Sequence, residues 1–171
     1  MSRDAFLIPI ADVASDMVET LLDRAFGSDR AARTAYAIRE GTQALPALSF
    51  AALDREELLV GTIQCWPVSL TDDAGRAHPL IMIGPVAVVP ERQSEGFGKA
   101  LMLASLGALG ADPLPQVMIG DPDYYSRFFG FSAAHTGGWR CPGEWQPDRL
   151  LARATNPAVL PESGMLGPWR G

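Results

Sequence analysis

Apolar positions along the chain change their period twice, and the changes divide it into helices and strands. Residues 6–10 form a short apolar run that predicts an opening strand. Val13, Met17, Leu21 and Leu22 then fall at helical spacing through Ala25, with Asp12 as the expected N-cap and Gly27 as the stop. Asp29 is expected to cap a second helix that runs to Arg39 and ends at Gly41. After Pro46 the runs become strand-like. Residues 48–53 and 58–68 read as two strands joined by the polar turn Asp54-Arg55-Glu56-Glu57, and Gly61 inside the second marks a bulge. A turn at residues 71–75 leads to an apolar strand over 80–89, so two antiparallel hairpins follow one another.

Pro90 closes that strand. Phe97, Leu101, Ala104 and Ala108 return to helical spacing from Gly96, and the helix ends near Gly110. Residues 116–120 read as a short buried strand, 121–129 as two turns of helix, and the chain is extended again from Phe131. Residues 149–154 predict a last strand. The expected fold is a single α/β domain over residues 1–171, with a mixed, mostly antiparallel central sheet flanked by helices. Residues 137–171, rich in Gly and Pro, are its C-terminal part.

Composition narrows the function classes. A chain of 171 residues with 47% hydrophobic content can bury roughly 70% of its unfolded surface without a staple. Its apolar runs are too short to span a bilayer and no secretion signal opens it, so no membrane partner and a cytoplasmic location are expected. The net charge of −6, with scattered Arg and Lys, argues against a nucleic-acid partner. Cys65 and Cys141 lack zinc-binding spacing, and His78 and His135 are isolated. Two reduced thiols and no metal are expected, with His78 a surface-turn residue.

The chemistry concentrates after the strand at 80–89, in Val86-Ala87-Val88-Val89-Pro90-Glu91-Arg92-Gln93-Ser94-Glu95-Gly96-Phe97-Gly98-Lys99. Two glycines open a helix whose first amides have no intrahelical partner. The helix dipole adds positive potential, so the backbone forms a cradle for a pyrophosphate. Two other phosphate loops fail residue by residue. A P-loop would need Gly at Gln93 and Ser or Thr at Ala100, and a dinucleotide fingerprint would need Gly at Leu101.

The remaining pattern, Gln-x-x-Gly-x-Gly after a strand and Pro, resembles the coenzyme A loop of the GCN5-related N-acetyltransferases. A second segment, Gly120-Asp121-Pro122-Asp123-Tyr124-Tyr125-Ser126-Arg127-Phe128-Phe129-Gly130-Phe131, is similar to the strand, short helix and Gly-Phe step of that superfamily. Its wording, together with Ile83-Gly84-Pro85-Val86-Ala87-Val88, resembles the YhbS-like predicted acetyltransferases. The resemblance implies acetyl-CoA as co-substrate and no metal. It implies a cofactor site made of Val86, Ala87, Val88, Arg92, Gln93, Ser94, Glu95, Gly96, Phe97, Gly98 and Lys99. In the family the strand before the loop frees amides for the pantetheine arm and the thioester oxygen, and here that strand is 86–88. Tyr125 is the expected general acid, with Tyr124 second: the family places its tyrosine four residues before the Gly of Gly-Phe, whereas Tyr125 stands five before Gly130.

The implied reaction is direct acetyl transfer, in a ternary complex, to the amine of a small molecule or peptide. Two rivals are a non-catalytic acyl-CoA-binding or sensing module on the same fold and a small nucleotide-binding protein. Edge strands of such sheets pair readily, so a homodimer is compatible with the pattern.

Overall fold

A computed structural model describes residues 6–171. Its strands are β1 (Phe6–Pro9), β2 (Phe50–Leu53), β3 (Leu59–Thr71), β4 (Ala77–Val88), β5 (Gln116–Ile119), β6 (Gly138–Arg140), β7 (Leu150–Arg153) and β8 (Ser163–Pro168). Its α-helices are α1 (Ser15–Phe26), α2 (Thr34–Ile38), α3 (Phe97–Gly107) and α4 (Pro122–Phe129). The strand order is β1-β2-β3-β4-β5-β7, with β8 paired to β3 and β6. Within it β1–β2, β2–β3, β3–β8 and β5–β7 are antiparallel, while β4–β5 and β6–β8 are parallel. This is the mixed, mostly antiparallel α/β sheet flanked by helices that the apolar pattern predicts.

The described residues gather into two compact units, each assembled from separated segments: residues 6–31, 44–65 and 84–111 in the first, and 32–43, 66–83 and 112–171 in the second. In the first, α1 buries Val18, Leu21 and Leu22, and α3 buries Phe97, Leu101 and Met102. Ile63, Ala51 and Ala52 supply the sheet side of this core. Gly61 lies at a close approach of strand and helix: a Cβ there would stand 3.0 Å from both Ala87 O and Leu101 Cδ1. The predicted bulge is present beside it, since Ala52 faces Gly61 while Leu53 faces Leu59 and residue 60 is the extra one. Ser105, buried on α3, is satisfied by donating to Leu48 O at 2.7 Å.

In the second unit Val68, Leu70 and Leu166 pack with Leu80, Met82, Val117 and Leu150. Trp139 joins them and donates its indole N–H to Pro161 O at 2.8 Å. The β3–β4 turn closes through Asp72, whose carboxylate accepts from Arg76 N and meets His78 Nε2 at 2.8 Å; His78 itself is half-buried on β4 beside the turn in which it was expected. Cys65 and Cys141 are free and buried. Burial pushes their thiols up to about 12 and about 11.

Three expectations for residues 12–39 need correction. Asp12 does not cap the first helix: residues Ile10–Asp12 form a 3-10 turn, and α1 starts at Ser15 after Ala14. Met17 is 52% exposed on the rim of an open groove of about 590 Å³ instead of in the core. The helix expected from Asp29 to Arg39 is broken into a 3-10 turn, Arg30–Ala32, and the five-residue α2. Arg30 folds back onto Glu19 and Asp23 of α1, and Thr34 donates its hydroxyl to Glu144 O. These distant partners outweigh the local helical pattern.

Candidate functional site

The loop at residues 93–99 belongs to the first unit. Its entry is the 3-10 turn Pro90–Arg92, which follows β4 directly. Gly96 is the N-cap of α3 at φ 91°, a left-handed conformation that a Cβ would strain, and Ser94 also has positive φ, 73°. The first intrahelical bond of α3 runs from Ala100 N to Gly96 O at 3.0 Å. The amides of Phe97 and Gly98 therefore have no acceptor within the helix and collect at its positive end. A Cβ on Gly98 would lie 3.8 Å from Val88 Cγ2 and 4.0 Å from Val86 Cγ1, so this turn rests against the end of β4.

Strand β4 changes register before it reaches the loop. The amide of Ile81 donates to Pro115 O, on the β5 side, and that of Val89 donates to Val60 O, on the β3 side, both at 2.9 Å. On a regular strand two residues eight apart direct their amides to the same side, so the ladder slips by one residue between them. Gly84, at φ 120°, lies in that interval. Counting back from Val89, the amides of Val86 and Val88 point away from β3. The carbonyl of Val88 lies on that side as well, and accepts from Gln93 Nε2 at 3.3 Å. Register pairs between β4 and β5 are Ile81–Gln116 and Met82–Val117, both before the slip.

Arg92 carries more contacts than its sequence position suggests. Its Nη1 donates to Asp54 Oδ2 at 2.7 Å and its Nε to Glu95 Oε2 at 2.8 Å. Its guanidinium also stands 5.2 Å from the centre of the Phe97 ring. Asp54 is only 5% exposed, and amide donation from Leu58, followed by Arg92, holds its carboxyl below the usual range. One residue before Arg92, Glu91 receives both Nη2 bonds of Arg24, at 2.6 and 2.7 Å, from the last turn of α1. Nothing in the sequence links Asp54 to Arg92, because 38 residues separate them.

The tyrosines belong to the second unit. Asp121 caps α4 by accepting from Asp123 N at 3.0 Å, Pro122 occupies the first turn, and Gly130 ends the helix at φ 76°. Tyr125 packs one edge of its ring against Gly120: a Cβ there would be 2.6 Å from Tyr125 Cε2 and 2.8 Å from Cδ2. Tyr124 meets Tyr125 edge-on with centroids 4.9 Å apart, and Phe129 lies 6.1 Å from Tyr125. Burial pushes the Tyr125 phenol up to about 12, with Tyr124 and Asp121 adding to the shift and Arg149 opposing it; burial also raises Tyr124. Among the described residues no group of three or more His, Cys, Asp or Glu could hold a metal ion, and no helix is long and apolar enough to cross a membrane.

Neither a family model nor a curated protein matches the chain. Solved structures do. The chain is similar to the GNAT family N-acetyltransferase YhbS of Escherichia coli, solved in complex with CoA, with 27% identity and a TM-score of 0.69 over 97% of this chain and 90% of that one. It is similar to a GNAT family acetyltransferase of Brucella melitensis, solved with acetyl-CoA, with 25% identity and a TM-score of 0.60 over 97% and 96%. Arabidopsis thaliana Naa50, solved with the bisubstrate analogue CoA-Ac-MVNAL, shares the fold at 15% identity, with a TM-score of 0.55 over 87% and 96%. The chain has the fold of the GCN5-related N-acetyltransferase superfamily.

Proposed function

We propose that this chain, with its N-acetyltransferase fold, is an acetyl-CoA-dependent N-acetyltransferase of the YhbS type that acts on an amine by direct transfer. The observation that carries the reading is the start of α3. The amides of Phe97 and Gly98 lack intrahelical acceptors there, Gly96 holds a left-handed φ, and Gly98 presents no side chain to the end of β4. The residues fit a diphosphate: the contacts offered are backbone donors, which hold an anion whatever the net charge of the chain. The complexes of the Escherichia coli and Brucella melitensis proteins with CoA and acetyl-CoA support extending this to coenzyme A.

Acetyl-CoA supplies an acyl group already activated as a thioester. The amides of Phe97 and Gly98 bind its diphosphate, and Gln93, Ser94 and Glu95 shape the loop around it. Val86 and Val88, with amides directed away from β3, orient the arm beyond the diphosphate through hydrogen bonds. The attacking amine nitrogen bonds to the carbonyl carbon, the carbon–sulfur bond breaks, and the amine proton leaves to solvent or a base. We assign Tyr125 to the departing sulfur by its likeness to the family's helix tyrosine. Burial pushes the phenol up to about 12, so it stays protonated near neutral pH with its O–H available as a donor. Tyr125 therefore acts by keeping its proton and donating a hydrogen bond to the thiolate.

Calorimetric titration with acetyl-CoA, with ATP and NAD as controls, tests the reading. Selective micromolar binding supports it. Absence of binding by folded protein removes it.

A further inference from the structure

We infer that Asp54 is a positioning residue for the diphosphate loop, holding residues 92–97 in shape through the guanidinium of Arg92. The inference rests on the coenzyme reading of that loop.

Asp54 is itself held firmly. Its Oδ1 accepts the amides of Glu56 and Leu58 at 2.9 and 3.0 Å, and its own amide donates to Leu58 O at 2.9 Å, closing the β2–β3 turn. Oδ2 is thereby fixed in place and receives Arg92 Nη1. From that anchor the guanidinium reaches both sides of the loop: Glu95 through Nε, and the ring of Phe97 at the first position of α3. The segment it brackets contains two positive-φ residues, Ser94 and Gly96, and Ser94 pays the steric penalty of a Cβ in that region. A loop so bent needs outside contacts to hold its amides converged, and one guanidinium fixed by Asp54 supplies them.

Charge alone predicts the opposite effect. Asp54, Arg92 and Glu95 sum to −1 beside a site for an anion, so neutralising Asp54 should tighten acetyl-CoA binding if electrostatics were its only influence. Positioning predicts weaker binding. The two explanations differ in sign, which makes Asp54→Asn decisive. Asn can still accept the amides of Glu56 and Leu58, yet turns an NH2 toward Arg92 and breaks the tie.

The experiment is acetyl-CoA calorimetry and amide hydrogen exchange on the full chain and its D54N, R92Q and double variants. The expected result is a rise in Kd of about tenfold for D54N, the scale of one lost charge-assisted hydrogen bond. Faster exchange confined to residues 94–99 accompanies it, and the double variant binds no worse than R92Q. Wild-type protein that binds no acetyl-CoA overturns the coenzyme reading and this inference together. Wild-type binding with equal or tighter binding by D54N overturns the inference alone. If D54N does not melt cooperatively, R92Q decides, and unchanged affinity there overturns it.

Discussion

Replacing Gly120 with Ala tests the seat of Tyr125 directly. The added Cβ would stand 2.6 Å from Cε2 and 2.8 Å from Cδ2 of the ring. Carbon atoms pack at about 3.5–4.0 Å, so the ring has to withdraw by roughly 1 Å. It cannot swing freely, because Tyr124 is edge-on to it and Phe129 stands 6.1 Å away on the next turn of α4. Overpacking of this kind costs about 1–3 kcal/mol, which in a chain of this length lowers Tm by roughly 3–10 °C. A displacement of that size at a reacting group can lower turnover by about 100-fold. The assay is thermal melting together with acetyl-CoA-dependent turnover, beside Tyr125→Phe and a control, Gly137→Ala, where a Cβ meets nothing within 4 Å. Wild-type Tm and turnover in G120A would refute the packing argument. Reduced turnover in G120A with an unaffected Tyr125→Phe would instead show that the ring, not its hydroxyl, matters at this position.

Gly96→Pro should abolish acetyl-CoA binding in calorimetry, since Pro cannot take φ 91° and lacks a donor; full affinity would remove the loop from the site. Gly107→Ala, at the exposed end of α3 with nothing near its Cβ, should raise Tm by roughly 1–4 °C, through a gain of about 0.4–1 kcal/mol, and leave binding unchanged. The raised pKa of Tyr125 sets two pH windows. Its proton stays on through the range 7–10, so turnover should show no falling limb from this residue there. A limb near pH 9 that disappears in Tyr125→Phe would contradict the assignment. Its folded pKa of about 12 lies above the unfolded value near ~10, so its share of stability is complete below ~10 and is lost as pH rises toward 12. A Tm–pH series would read that loss.

The parts of the fold legible in the sequence are those whose cause is local. Gly27 and Gly130 end their helices with positive φ, and Asp121 caps α4 through its own side chain. The Gly96–Gly98 entry to α3 forms at the expected residues because φ limits and helix starts are properties of a few consecutive residues. The bulge beside Gly61 was marked by that glycine. Elements whose cause is distant were not legible. Strands β6 and β8 lie in a Gly/Pro-rich stretch without strand propensity, and pairing makes them strands: Gly164 lets β8 approach β3 so closely that a Cβ would meet Thr71 O at 2.5 Å. The second helix was shortened by partners 7 and 11 residues back on α1 and by Glu144, 110 residues ahead.

The candidate site divides along the same line. The sequence by itself determined the glycine-bounded turn at residues 93–99 and the Tyr-Tyr helix, because glycine placement, capping and chain order specify them locally. Only the tertiary structure decided that Asp54 anchors Arg92, that Gly120 seats Tyr125, and that the phenol is pushed up to about 12. Each of those depends on side-chain contact or on exclusion of water, which residue types and spacing leave open until the chain is folded.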